Sequence, residues 1–268
     1  MKTPPQDLIK TLVQSKRSNQ RSEIKMLQMR IWLESLLEEF ELTAADLDRA
    51  LSDGQESSRQ VHKWLSGSNC VTARKVKEIG CLFPGSDEVF NLPLFPLLEN
   101  KPITAPALRR HMRGLINAQD PLDFWQLPCE LAGCSDGFGL RPIFENDVDM
   151  LYQHGGVYSF LAILYVLRRA EAERDNDLHL YASIYSYKSF PSLARHHHFR
   201  RHWEDLLRAL ERVQARCMTT AMLLRPDKAI LREQIEAEDF ITFREAQPRD
   251  VVSRRFLENK DPFIMASF

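Results

Sequence analysis

The run VYSFLAILYVL, Val157 to Leu167, sets the first limit on the fold. It is the most apolar segment of the chain, yet far shorter than the roughly 20 residues a membrane span requires. Arg168 and Arg169 follow it at once. A helix that is apolar on every side belongs inside a core. A chain of 268 residues can supply one, as one large domain or two modest ones. Hydrophobic residues at 44% and charged residues at 27% are those of an ordinary soluble globular protein. The N-terminus, MKTPPQDLIKTLVQSKRSNQRSEIK, has no continuous apolar run of the kind a secretory signal needs. The expectation is a soluble, cytoplasmic protein with no membrane partner. Five cysteines without framework spacing (Cys70, Cys81, Cys129, Cys134, Cys217) fit a reducing compartment.

Punctuation along the chain divides it. Residues 1–21 read as a flexible basic leader. From Glu23 the pattern turns helical, with Ile24, Leu27, Ile31, Leu36 and Phe40 at three-to-five-residue spacing. Thr43 stands at a cap position with Asp46 three residues on, which predicts a boxed helix start for TAADLDRAL. SDGQE, Ser52 to Glu56, is a turn. A further helix is expected from near Ser57 to Gly67, and Thr72 caps the next, ARKVKEIGCLF, which ends at Pro84-Gly85. Four prolines then fall within the sixteen residues of NLPLFPLLENKPITAP, interrupting helices and marking a boundary or a packed linker.

Beyond it, helices are expected at 105–120, at Gly156–Asp175, at His202–Leu224 and from Asp227 through Ala237. LHLYASIYSYKSF, Leu178 to Phe190, is aromatic and compatible with strand or helix. The fold class expected is mostly α: a helix-turn-helix domain at 22–98, then a larger helical domain at 104–268 for dimerisation, sensing or partner binding.

The chemistry concentrates in SSRQVHKWLSGSNCVTARKVKEIG, Ser57 to Gly80. Val61, Trp64 and Leu65 form an inward stripe at helical spacing. Around them stand Ser57, Ser58, Arg59, Gln60, His62, Lys63 and Ser66, all hydrogen-bonding groups. Arg and Lys can pair with guanine edges, and Gln with adenine, in the major groove. Serine hydroxyls and N–H groups at a helix start can hold a phosphate. Arg74, Lys75 and Lys77 offer further phosphate contacts.

The order of elements is that of a helix-turn-helix. LTAADLDRAL, SSRQVHKWLSG and TARKVKEIGCLF together resemble the Cro/C1-type (XRE-like) DNA-binding domain over about residues 24–98, with Val61, His62-Lys63, Trp64 and Gly67 in the register of its recognition helix. The resemblance implies that Ser58, Arg59 and Lys63 read base edges and that Ser57 and Ser66 touch the backbone. Leu47, Leu51, Val61 and Trp64 would then be domain core. Asp48 stands where that family has a small residue, Ala44 where it often has glutamine, and SDGQE is longer than its tight turn. The function implied is sequence-specific binding of double-stranded DNA, as a dimeric transcriptional regulator of repressor type. Two alternatives stay open: an adaptor or assembly subunit using the same fold for protein contacts, and a binder of single strands or RNA.

That last reading rests on RHHHFRRHW, Arg195 to Trp203, where Arg195, Arg200, Arg201 and Arg208 would make a second basic face. Neighbouring histidines on one helix point about 100° apart, so no metal site is expected. GCSDGFG lacks the lysine and strand context of a phosphate loop, and ENDVD lacks the EF-hand glycine and glutamate. No catalytic motif, catalytic residue or cofactor is expected.

Overall fold

A computed structural model describes residues 22–52, 59–108, 110–111, 143–216 and 226–236. Among them the chain is mostly helical and contains no strand. The elements are α1 (Glu23–Glu39), α2 (Ala44–Leu51), α3 (Gln60–Leu65), α4 (Ala73–Leu82), α5 (Asp87–Asn91), α6 (Leu94–Leu98), α7 (Glu145–His154), α8 (Gly156–Glu173), α9 (Asn176–Ala194), α10 (His197–Arg200), α11 (Trp203–Gln214) and α12 (Lys228–Glu236). No helix among the described residues is long and apolar enough to cross a membrane.

Local signals place several boundaries. Thr43 caps α2, its hydroxyl accepting from Asp46 N–H at 3.2 Å while the Asp46 carboxylate accepts from Thr43 N–H at 3.0 Å. Each partner satisfies a donor that the helix end would otherwise orphan. Thr72 caps α4 by a single bond, its hydroxyl accepting from Lys75 N–H at 3.3 Å. After α3 the chain turns at Gly67, whose φ of +70° is left-handed. A Cβ there would also fall 2.6 Å from the Met26 methyl of α1. The left-handed backbone is what calls for glycine, since the flexible end of Met26 can move aside.

The described residues form two apolar clusters. The smaller joins Met29, Trp32, Leu33 and Leu36 of α1 to Leu47, Val61, Trp64, Val76 and Ile79, with Leu51, Leu65 and Phe83 packed at its edge. The larger surrounds α8, in which every side chain from Ser159 to Arg168 is buried. It takes in α6, α7, α9, α11 and α12, and also Ile24, Leu27 and Ile31 of α1. The first helix therefore has one face in each cluster. Apolar residues on two faces are what its sequence shows, and burial from two sides explains them.

The proline-dense stretch is packed. Leu92, Leu94, Phe95, Leu97 and Leu98 all lie in the larger cluster. Trp32 Nε1–H donates to the Ser86 carbonyl at 2.8 Å, and its ring meets Phe90 edge-on with centroids 5.2 Å apart. Gln28 donates to the Phe90 carbonyl at 2.6 Å. The chain after α4 is thereby held along α1.

The segment open to strand or helix is helical within α9, which packs along α8 with Phe160 and Phe190 centroids 6.0 Å apart. Its buried Ser183, Ser186 and Ser189 each donate to the carbonyl four residues back at 2.7 Å. Those bonds satisfy hydroxyls that would be costly inside a core. The helix expected at His202–Leu224 is described as Trp203–Gln214, and that expected at 105–120 only as helical residues at 105–108 and 110–111. Arg168, which seemed to end the buried run, is itself buried, pairing with Glu171 at 2.9 Å and donating to the Lys101 carbonyl.

Candidate nucleic-acid interface

The helix of interest begins later than its sequence suggests. Arg59 has φ 51° and ψ 30°, a left-handed conformation that cannot continue a right-handed helix. The first helical residue is Gln60, not one near Ser57. Ser57 and Ser58 lie outside the described residues. Val61 and Trp64 are 0% and 1% exposed and anchor α3 against α1 and α4. Leu65 is only partly buried. At its far end Ser66 N–H bonds the His62 carbonyl at 2.9 Å and Asn69 N–H the Lys63 carbonyl at 3.1 Å, closing the helix into the turn at Gly67.

With the inward stripe seated, the other side chains are turned outward. Arg59, Gln60, His62, Lys63 and Ser66 are exposed, as are Arg74 and Lys77 on α4. Lys75 is half-buried and held by Glu78 at 2.8 Å. Ser66 shares a hydrogen bond with the Ser68 hydroxyl at 2.8 Å. The described residues of the expected recognition surface are thus presented by α3, its two ends and the start of α4.

Asp48 is a residue whose use the sequence concealed. Standing where a small residue was the expectation, it is 1% exposed. Its Oδ1 accepts from Gln60 N–H and Val61 N–H, both at 3.0 Å. Arg59 supplies no side-chain cap, so α2 caps α3 from across the turn. The first two amides of α3 are spoken for by a carboxylate, which also repels a second anion. Phosphate held by those amides is therefore no part of what this helix can do.

The second basic face is only partly presented: Arg201 and Arg208 are exposed. Arg195 is buried at the end of α9. Arg200 donates to the Glu236 carbonyl at 3.3 Å, Arg201 pairs with Glu38 of α1 at 3.1 Å, and Arg208 pairs with Asp205 at 2.8 Å. His202 meets Glu34 at 2.9 Å. Glu34 and Glu38 of α1 are thus turned toward this run. Sequence reading missed the pairing because the partners stand 163 and 168 residues apart.

The three histidines of the run are drawn together. The His196–His197 and His197–His198 ring centroids are 4.5 and 3.8 Å apart. Burial, reinforced by its histidine neighbours, pushes His196 down to about 2, and burial pushes His198 down to about 3. Burial also lowers His197, against the pull of Glu39 and Glu38. On α9 Tyr181 OH donates to Asp149 at 2.8 Å, and burial raises the phenols of Tyr181 and Tyr185. Compared with protein-family models, curated proteins and solved structures, the chain finds no match.

Proposed function

We propose that this chain binds double-stranded DNA by placing the outer face of α3 in the major groove. The observation that carries the reading is the division of one short helix. Val61 and Trp64 are locked in a core, while Arg59, Gln60, His62, Lys63 and Ser66 stand exposed on the same six-residue element and its two ends. Arg59, Lys63 and Gln60 are the base-reading types, and the exposed Arg74 and Lys77 of α4 would contact flanking phosphates. Six residues span roughly 9 Å, enough for only a few base pairs. The protein would therefore act as a dimer on a two-part site, as a regulator of repressor type in the cytoplasm, with the helices beyond α6 supplying the dimer contact.

The test is binding of the full chain to duplex DNA selected from a random pool, followed by fluorescence anisotropy across a salt series. Affinity falls as salt rises, because phosphates shed counterions. Arg59→Ala and Lys63→Ala each lose about 1–3 kcal/mol on the selected site. Retention of wild-type affinity by both variants overturns the reading. The adaptor alternative draws on Asp48, whose carboxylate takes the amides that would otherwise greet a phosphate. It predicts a salt-insensitive failure to select any duplex, with a stable protein partner in its place. The single-strand reading has less behind it, since Arg195 is buried and the exposed Arg201 and Arg208 each have an acidic neighbour.

A further inference from the structure

Three consecutive histidines on one helix fan apart, and their rings cannot share an ion. At His196 the chain is not one helix. Its φ of −62° and ψ of 136° are extended, and α10 restarts behind it, with Phe199 N–H and Arg200 N–H bonding the His196 carbonyl at 2.9 and 3.0 Å. The break lays the His196 ring over that of His197, and one ligand nitrogen from each of the three residues lies within 4.8 Å of the other two. Tetrahedral zinc, with Zn–N near 2.0–2.1 Å, wants its nitrogens about 3.3 Å apart. Side-chain rotation on the order of 1–2 Å closes that gap.

The three rings have unequal freedom, and the inequality suits a site. His196 is 1% exposed and fixed by its surroundings, His198 is half-buried, and His197 is exposed. One ring is anchored and two can adjust. The cations beside the run have partners of their own. Arg201 is offset by Glu38, and Arg200 is engaged with the Glu236 carbonyl.

We propose that His196, His197 and His198 form a binding site for one divalent transition-metal ion of the zinc class, with the fourth position open to water. The site lies where α10 packs on α1, so an ion there would stiffen the junction between the two apolar clusters. It is independent of the DNA reading and stands or falls separately.

The experiment uses the full chain carrying no polyhistidine tag, titrated with Zn2+ against a chromophoric chelator. One equivalent is expected to bind. His197→Ala and His198→Ala should each weaken it by about tenfold or more, while His62→Ala, on α3, should leave it unchanged. Binding of less than one equivalent overturns the site, and so does wild-type affinity in both variants. Circular dichroism checks that the variants fold. If they do not, the Co2+ complex of the wild-type chain decides: an intense tetrahedral visible band supports the site and a pale octahedral spectrum overturns it.

Discussion

Asp48 sits almost wholly out of water, with its Oδ1 shared between Gln60 N–H and Val61 N–H. Removing it leaves two amides at the start of α3 without their acceptor. Asp48→Ala is expected to lower stability by about 1–3 kcal/mol in urea unfolding. Asp48→Asn keeps an acceptor oxygen and should cost less. Equal costs would mean that the charge, not the cap, is what matters. His179, 2% exposed in α9, gives a second test. Burial lowers its pKa below the ordinary 6.5, Glu171 pulls the other way, and Arg168 adds to the lowering. As pH falls below 6.5 the unfolded chain takes the proton first, so this residue's contribution is whole above that value and is lost below it. His179→Leu should therefore lose less stability than wild type between about pH 7 and about pH 5. Parallel pH curves for the two proteins would exclude that role.

At the scale of the element, α1 shows which contacts matter. Trp32 is 0% exposed, packs between α5 and the rest of the smaller apolar cluster, and donates to the Ser86 carbonyl. Glu38 and Arg201 are 58% and 64% exposed, so water and salt screen the pair. Trp32→Ala is expected to cost about 3–5 kcal/mol and Glu38→Ala under about 1 kcal/mol in equilibrium unfolding. The starts of α2 and α4 were legible because Thr43 and Thr72 act on amides three residues away. The start of α3 was not. Its cap comes from Asp48 on another helix, and its boundary depends on the left-handed backbone of Arg59, which no side-chain pattern announces. In Leu178–Phe190 aromatic and serine residues suit either structure, and packing against α8 decided for helix.

For the whole molecule the consequence is coupling. Because α1 places Ile24, Leu27 and Ile31 in one cluster and Trp32, Leu33 and Leu36 in the other, neither core is complete without it. Unfolding should then be one cooperative event. Leu164→Ala, at the centre of α8, is expected to cost about 2–5 kcal/mol and to shift the midpoint reported by Trp64 fluorescence, in a chain whose other tryptophans are Phe, as far as that reported by far-ultraviolet circular dichroism. Separate midpoints would show that the two clusters melt alone.

The linear order of residues by itself determined the helical class, the burial of Val157–Leu167, the capped starts of α2 and α4, and the register of Val61, Trp64 and Gly67. All of these follow from interactions within a turn or two of helix, or from apolar periodicity, and both are written in neighbouring letters. Tertiary structure alone decided that Asp48 caps α3, that Glu34 and Glu38 meet His202 and Arg201, and that the histidine run breaks its helix and gathers its rings. Those outcomes depend on which distant surfaces pack together. Charge and hydrogen-bonding capacity can be read from a residue type, but the partner that uses them is chosen by the fold.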